Sequence, residues 1–295
     1  MNKTTNLKIE RDVEESIAYG LTLLENIRSL PGTKVIDTSA VLLLLEGLHN
    51  NRALVSDAAL RVREHLIKEV PNKLNEGILY SQVVAEEFEH NVAGVKSVAK
   101  EISKRNRRIG IIHRRRGIYD DECSSKRQVD PEIVDRIGHL GKRWANFKKD
   151  AMVANLLEDR IGEESRAYLP DFEADIIRMA RRDGLQIDYN PRYNDNPSSG
   201  LNMNNDPLIF ARTLALGSSA TIITCDSDFV RMLRNYERIC KRDECRADTI
   251  SKTFPVENIK VAYLPKDSTE FQLIEPQPRP SRPRIFYKPK ISSHK

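Results

Sequence analysis

A short apolar segment that ends in an acid and turns at once into helix is the feature that most restricts this chain. Lys34-Val35-Ile36 runs into Asp37-Thr38-Ser39 and then into the helical run Ala40 to Leu45. Ala220 to Thr224 runs in the same way into Cys225-Asp226-Ser227-Asp228. Ile78-Leu79-Tyr80 leads into a helix from about 82 that carries Glu86 and Glu87. Short apolar strands alternating with helices predict an α/β fold around a parallel sheet. In an open sheet of that kind, functional residues gather at the carboxyl ends of the strands.

The remaining elements fit around this frame. Residues 11–29 have helical spacing of Ile17, Leu21, Leu24 and Ile27, and Pro31-Gly32 stops that helix. Further helices are expected over 39–47 and 52–69. From about 95 to 185 the sequence is almost wholly helical, with a polar interruption from Asp120 to Gln128. One helix there runs from Pro131 to about Glu158 and another over 170–183. A loop rich in Asn, Pro, Ser and Gly follows, from Tyr189 to Asn205. The α/β pattern then returns, with helices from Pro207 to Leu216 and from Phe229 to about Cys240. Late strands are expected at Lys260 to Leu264 and Phe271 to Ile274. The predicted organisation is an N-terminal helix (1–30), an α/β domain in two parts (31–95 and 200–275), and a basic helical insertion (96–199). A proline-rich basic tail (276–295) is expected to be disordered.

Charge is unevenly spread. The net charge of +5 includes a tail from Pro276 to Lys295 with six basic side chains and no acid. It also includes Lys96 to Arg116, with nine basic side chains and one acid, Glu101. Without these two stretches the remainder stands at −9. No apolar run approaches the ~20 residues of a membrane span. The N-terminus, MNKTTNLKIERD, lacks the apolar core of a signal peptide, and the four cysteines include no CxxC pair. These features point to a cytoplasmic protein with reduced thiols and no membrane partner.

The acids at strand ends have two readings. Singly, each is a helix cap or first-turn acid: Asp206 before Pro207, Asp37 or Ser39 before the next helix, Asp226 before Phe229, and Glu86 or Glu87 beside a helix dipole. Together, four or five carboxylates on one rim would repel each other unless they hold a hard cation. Mg²⁺ and Mn²⁺ prefer carboxylate oxygen and water, and no His or Cys cluster competes. A carboxylate-bound cation of that kind suits phosphodiester hydrolysis. Thr224 and Ser39 are candidates to hydrogen-bond the ligating carboxylates, or else ordinary polar residues at strand ends.

At these residues the sequence resembles the PIN-domain ribonucleases. VIDTSA is similar to the family's first motif, with Asp37 as its acid and Thr38 and Ser39 as its hydroxyls. VVAEEF is similar to the second, matched best by Val84, Glu87 and Phe88, with Glu86 one residue out of register as the alternative. NDPLIFARTLALGSSATIITCDSDF resembles the third and fourth motifs together and supplies Asp206, Thr224, Asp226 and Asp228. The resemblance covers about 33–95 and 200–240. It implies a three-layer fold with a central parallel sheet. It also implies a Mg²⁺- or Mn²⁺-dependent endoribonuclease whose catalytic and metal-binding acids are Asp37, Glu87, Asp206 and Asp226. Asp228 would assist or order water, or face away at its helix start. Compact toxin-type members lack an insertion of roughly ninety residues. A homodimer and an inhibitory or antitoxin partner both stay open.

An acidic centre does not attract a polyanion, so phosphate must be held elsewhere. Lys96, Lys100, Lys104, Arg107 and Arg108 fall mainly on one helical stripe, and Arg114, Arg115 and Arg116 follow as a block. The near absence of acids favours an RNA-binding face over a merely solvated one. The RNA is expected to be single-stranded. Trp144, among Lys142, Arg143, Lys148 and Lys149, could stack a base, but core packing is the stronger reading. Three other functions compete. One is a silent RNA-binding scaffold with the same fold. Another is a structure-specific DNA nuclease. The third is a phosphatase of the haloacid-dehalogenase type, which normally needs a second Asp where this chain has Ser39.

Overall fold

The structure is a computed structural model and describes residues 3–47, 57–74, 77–89, 100, 104, 131–184, 205–242, 253–265 and 268–277. Helix α1 (Lys3–Ser29) precedes strand β1 (Thr33–Ile36), helix α2 (Thr38–Glu46), helix α3 (Asp57–Leu74) and strand β2 (Ile78–Tyr80). A helix α4 follows over 82–89. Helix α5 (Pro131–Phe147) continues into a wider turn, Lys148–Met152, and then a tight turn, Leu157–Arg160. Helix α6 (Glu163–Arg182), helix α7 (Asp206–Leu214), strand β3 (Ala220–Thr224) and helix α8 (Asp228–Arg242) come next. Strands β4 (Ile259–Tyr263) and β5 (Gln272–Ile274) complete the described chain.

The five strands lie in the order β2-β1-β3-β4-β5. The first four are parallel, and β5 runs antiparallel to β4. All five expected strands are present, and the final antiparallel strand is the one departure from a purely parallel sheet. Every residue of β2 and β3 is buried, as expected for a parallel sheet covered on both faces. Right-handed crossovers explain the covering. The chain moves one way from β1 to β2 and the other way from β3 to β4. The connecting helices therefore fall on opposite faces, which is compatible with a three-layer α/β fold. The direction in which successive strands are added switches between the parallel neighbours β1 and β3, and the crevice above their carboxyl ends is where an open sheet of this kind binds its ligand.

Two glycines let these layers close. Gly32 has φ 70°, and a Cβ there would lie 2.7 Å from the Ser219 carbonyl, which accepts the Thr33 amide. Gly47, with φ 62°, ends α2 where a Cβ would lie 2.4 Å from the Ser16 carbonyl of α1.

Several boundaries differ from the expected ones. Helix α1 begins at Lys3 rather than near 11, and α3 continues past Pro71 to Leu74. The helix expected to run from Pro131 to about Glu158 is regular only to Phe147 and ends after the wider turn Lys148–Met152. The chain beyond it serves the sheet instead. The Asn155 carbonyl accepts the Tyr80 amide at 3.0 Å, and Leu156 bridges Tyr80 in parallel. This covers the outer edge of β2. Helix α6 starts at Glu163, not 170, with two acids in its first turn where the dipole favours them. Pro170 lies inside it on the exposed side, where solvent can satisfy the carbonyl that lacks a partner.

The described part of the inserted segment is no separate platform. Leu140, Trp144, Phe147, Met152, Leu157, Phe172 and Ile176 belong to the same hydrophobic core as β1, β2 and β3. Trp144 packs edge-on against Phe88 at 5.5 Å, and the Arg63 guanidinium sits 4.9 Å over its ring. Arg63 also pairs with Glu46 at 2.6 Å, both buried. Burial pushes the Glu46 carboxyl up to about 7, opposed by the Arg63 charge. The stacking role considered for Trp144 does not hold, because the ring is interior.

Among the described residues, no helix is long and apolar enough to cross a membrane. The acidic and polar stretch 120–128, the loop 189–204 and the tail beyond Gln277 lie outside the described residues. Trp144→Ala is expected to cost about 3–5 kcal/mol, measured by urea unfolding, with one cooperative transition for the chain. A cost under about 1 kcal/mol, or a separate transition for the segment, would contradict a shared core.

Candidate metal centre

Asp37 stands one residue beyond β1, in the crevice between β1 and β3. It occupies the cap position of α2 but makes no side-chain capping bond, so capping is not its role. Its Oδ2 instead accepts the Ser39 hydroxyl at 2.5 Å and the Thr224 hydroxyl, from the end of β3, at 2.8 Å. The Ser39 Oγ accepts the Cys225 amide at 3.0 Å, and the Thr224 Oγ1 accepts the Asp226 amide at 2.8 Å. Both hydroxyls therefore tie the buried carboxylate to the loop that carries Asp226. Both hydroxyls thus hydrogen-bond a carboxylate of the acidic rim, the contact that the sequence offered for them.

Glu87 lies in α4 and turns into the same crevice. Its Oε2 accepts the Thr38 hydroxyl, and its Oε1 accepts the Asn205 amide at 2.9 Å. Glu86, its neighbour, is exposed and accepts the Gln82 side-chain amide at 3.2 Å. Of the two acids, it is Glu87 that faces the crevice.

Asp206 opens α7, with Asn205, not Asp206, at the cap position. Carboxylate oxygens of Asp206, Asp226 and Asp228 all lie within 4.8 Å of one another. Asp228 does not face away. Asp226 Oδ1 accepts the Asp228 amide at 2.9 Å, and this local turn brings both side chains to Asp206. Asp228 also meets Arg231 at 3.1 Å. The four acids anticipated as one set are therefore divided. Asp206 and Asp226 form a trio with Asp228, while Asp37 and Glu87 stand behind them, held by hydroxyls and an amide.

Proton affinities record the crowding. Burial raises the Asp206 carboxyl well above the usual range, and the charges of Asp37, Asp226, Glu87 and Asp228 raise it further. Burial also raises Asp37, against the Ser39 and Thr224 hydroxyls, and the Asp226 charge adds to it. Glu87 is pushed up to about 7 by burial, opposed first by the Thr38 hydroxyl. Asp226 is raised by burial, opposed by the Asp228 amide. Burial and the Asp37 charge push the Cys225 thiol up to about 12, which keeps it neutral beside the metal-free acids. An all-oxygen carboxylate trio beside two further acids fits a hard divalent cation.

Sequence reasoning passed over Asn205 as a loop residue, although its place immediately before Asp206 in NNDPL was a signal. It assigned Thr38 only to a motif, not to Glu87. The basic residues are reached in part. Lys100 and Lys104 are helical and exposed, while Arg107, Arg108, Arg114, Arg115 and Arg116 lie outside the described residues. No protein-family model, curated protein or solved structure matches the chain.

The raised affinities fix a sign. A carboxyl whose folded pKa is raised stabilises the fold below its unfolded value, and that stability is lost as pH rises through the folded value. For Glu87 the window runs from 4.5 to about 7. Metal-free protein in EDTA is therefore expected to gain stability as pH falls through this window. Asp206→Asn should raise its melting temperature at pH 7 by roughly 2–4 °C. A lower melting temperature for this variant would show that the acids are not crowded in the metal-free state.

Proposed function

We propose that this chain is a Mg²⁺- or Mn²⁺-dependent endoribonuclease of the PIN type. The observation that carries this reading is the trio of Asp206, Asp226 and Asp228, with the charges of Asp37 and Glu87 acting on Asp206, at the point where the strand order switches between β1 and β3. Asp206, Asp226 and Asp228 would hold the cation. When bound, the cation supplies a lowered pKa for water and neutralisation of charge on the scissile phosphate.

The chain's own residues provide the rest. Ser39 and Thr224 fix the orientation of Asp37, and Thr38 and Asn205 fix that of Glu87. Such preorganisation means that the carboxylates need not move as the phosphate arrives. Lys100, Lys104, Arg107, Arg108 and Arg114 to Arg116 would hold the RNA backbone, since a site of acids alone repels it. The same acidic centre could serve a DNA nuclease or survive in a silent RNA-binding scaffold. A full set of acids favours an enzyme over a scaffold, and the PIN resemblance favours RNA over DNA.

Purified protein is expected to cut single-stranded RNA with Mn²⁺ or Mg²⁺ and to lose activity in EDTA. Asp37→Asn and Asp226→Asn should each reduce the rate by on the order of 10²-fold or more. Asp228→Asn should also slow cleavage. Preference for flap or nicked DNA would make this a DNA nuclease, and RNA binding without metal-dependent cleavage would make it a scaffold.

The basic run has its own test. Replacing Arg114, Arg115 and Arg116 together by Ala should weaken binding to all RNA sequences alike. The slope of log K against log salt should become shallower by about 2, at ~0.7 per phosphate contact on a single strand. An unchanged slope would remove these arginines from the RNA interface.

A further inference from the structure

Two of the site acids, Glu87 and Asp206, stand on helices that are cross-linked twice. At the acidic centre the Asn205 amide donates to Glu87. At the other crossing, Arg212 of α7 meets Glu158 at 2.8 Å. Glu158 comes from the tight turn Leu157–Arg160 in the inserted segment. Its carboxylate accepts the Ser81 hydroxyl at 2.7 Å and the Gln82 amide at 3.0 Å, at the very start of α4. Residues 81 and 87 thus pair with 212 and 205, so α4 and α7 run antiparallel past each other. With a rise of 1.5 Å per residue, the second crossing lies ~9–10 Å from the acidic centre along both helices.

We propose that Glu158 and Arg212 are positioning residues, a clamp that fixes the separation of α4 and α7 and thereby the fit of the acidic centre to a divalent cation. The proposal rests on the reading that this centre takes such a cation. Five carboxylates repel one another and act to drive the two helices apart. The clamp resists at a point where neither partner touches the cation. Glu158 completes the amide end of α4 as an anion at a helix N-terminus. Arg212 neutralises it and uses its other edge, Nε, to hold Glu173 of α6 at 2.7 Å. The arginine fork thus joins three elements, and the side chains of Arg212, Glu158 and Glu173 are 18%, 24% and 19% exposed. The Glu158 backbone is held too, its carbonyl accepting Arg166 at 2.9 Å. On this account the inserted segment serves the centre by preorganising it.

The test is Mn²⁺ titration of the full chain by calorimetry. Glu158→Gln and Arg212→Met should each weaken Mn²⁺ binding by roughly 10–100-fold, as loss of supporting contacts around metal ligands does. Arg212→Lys, which keeps the charge and loses the fork, should fall between these and the parent. At saturating Mn²⁺, KM for RNA should stay within about twofold, because the clamp does not touch RNA. In a Glu87→Gln background, Arg212→Met should cost clearly less than in the parent, since part of its effect passes through Glu87. If Arg212→Met does not fold, the near-isosteric Glu158→Gln and Arg212→Lys carry the same measurement. Unchanged Mn²⁺ affinity in folded Glu158→Gln and Arg212→Lys overturns the clamp. So does an equal loss in the Glu87→Gln background, which would mean general loosening. A parent protein that binds no Mn²⁺ overturns the reading of the centre itself, and the clamp with it.

Discussion

Mutual repulsion of buried carboxylates is the constraint around which the rest is arranged. Asp37 is 3% exposed just beyond the carboxyl end of β1, and Asp206 is 9% exposed at the start of α7. An isolated ionised carboxylate in such a place is costly unless it is hydrogen-bonded. At Asp37, Glu87 and Asp226 the chain answers with hydroxyls and amides, and only Asp228 meets an arginine, Arg231. Ser39, Thr38, Thr224 and Asn205 each donate to an acid, and the Asp228 amide donates to Asp226. Neutral donors orient a carboxylate without cancelling its charge, which preserves the negative field that a cation would need. Arg231 meets Asp228 at the outer side of the centre, while the more buried arginines Arg212 and Arg63 lie away from it.

The contrast between those two arginines shows why. Arg63 and Glu46 form a sealed pair under Trp144, where desolvation dominates both groups. Such a pair specifies how α2, α3 and α5 fit together but contributes little net stability. Arg212 is partly open and shared between two acids, so its cost of burial is lower and its contacts are several. The first arginine orders a core. The second ties the start of α4 to the last turn of α7.

What could be read from the residues follows the range of the interactions. The strands were legible because each is a short apolar run with an acid or a turn residue at its end. The acids Asp37, Glu87, Asp206 and Asp226 were legible because a rim of strand ends is fixed by topology. Asp228 stayed open between assisting at the centre and facing away because spacing alone does not reveal the turn through its amide to Asp226. The helix from Pro131 was extended too far because its periodicity does not announce that the edge of β2 needs a partner. Glu158 with Ser81, and Arg212 with Ser81, are separated by 77 and 131 residues. No local pattern encodes such contacts. They arise only once the inserted segment shares the core.

That sharing also bears on how a polyanion and an acidic centre can coexist in one chain. The basic run follows α4 directly, with Lys100 thirteen residues beyond Glu87. Even fully extended, that much chain spans no more than ~45 Å. At physiological salt the field of exposed charge fades over ~8 Å. A basic surface one or two such lengths from Asp206 can therefore attract phosphate with little loss to the acids, while a cation cancels their repulsion only at the centre itself. On the proposed function, the run at +8 would supply long-range attraction of the nucleic acid, while a cation would let one phosphate approach the acids that belong to the body at −9.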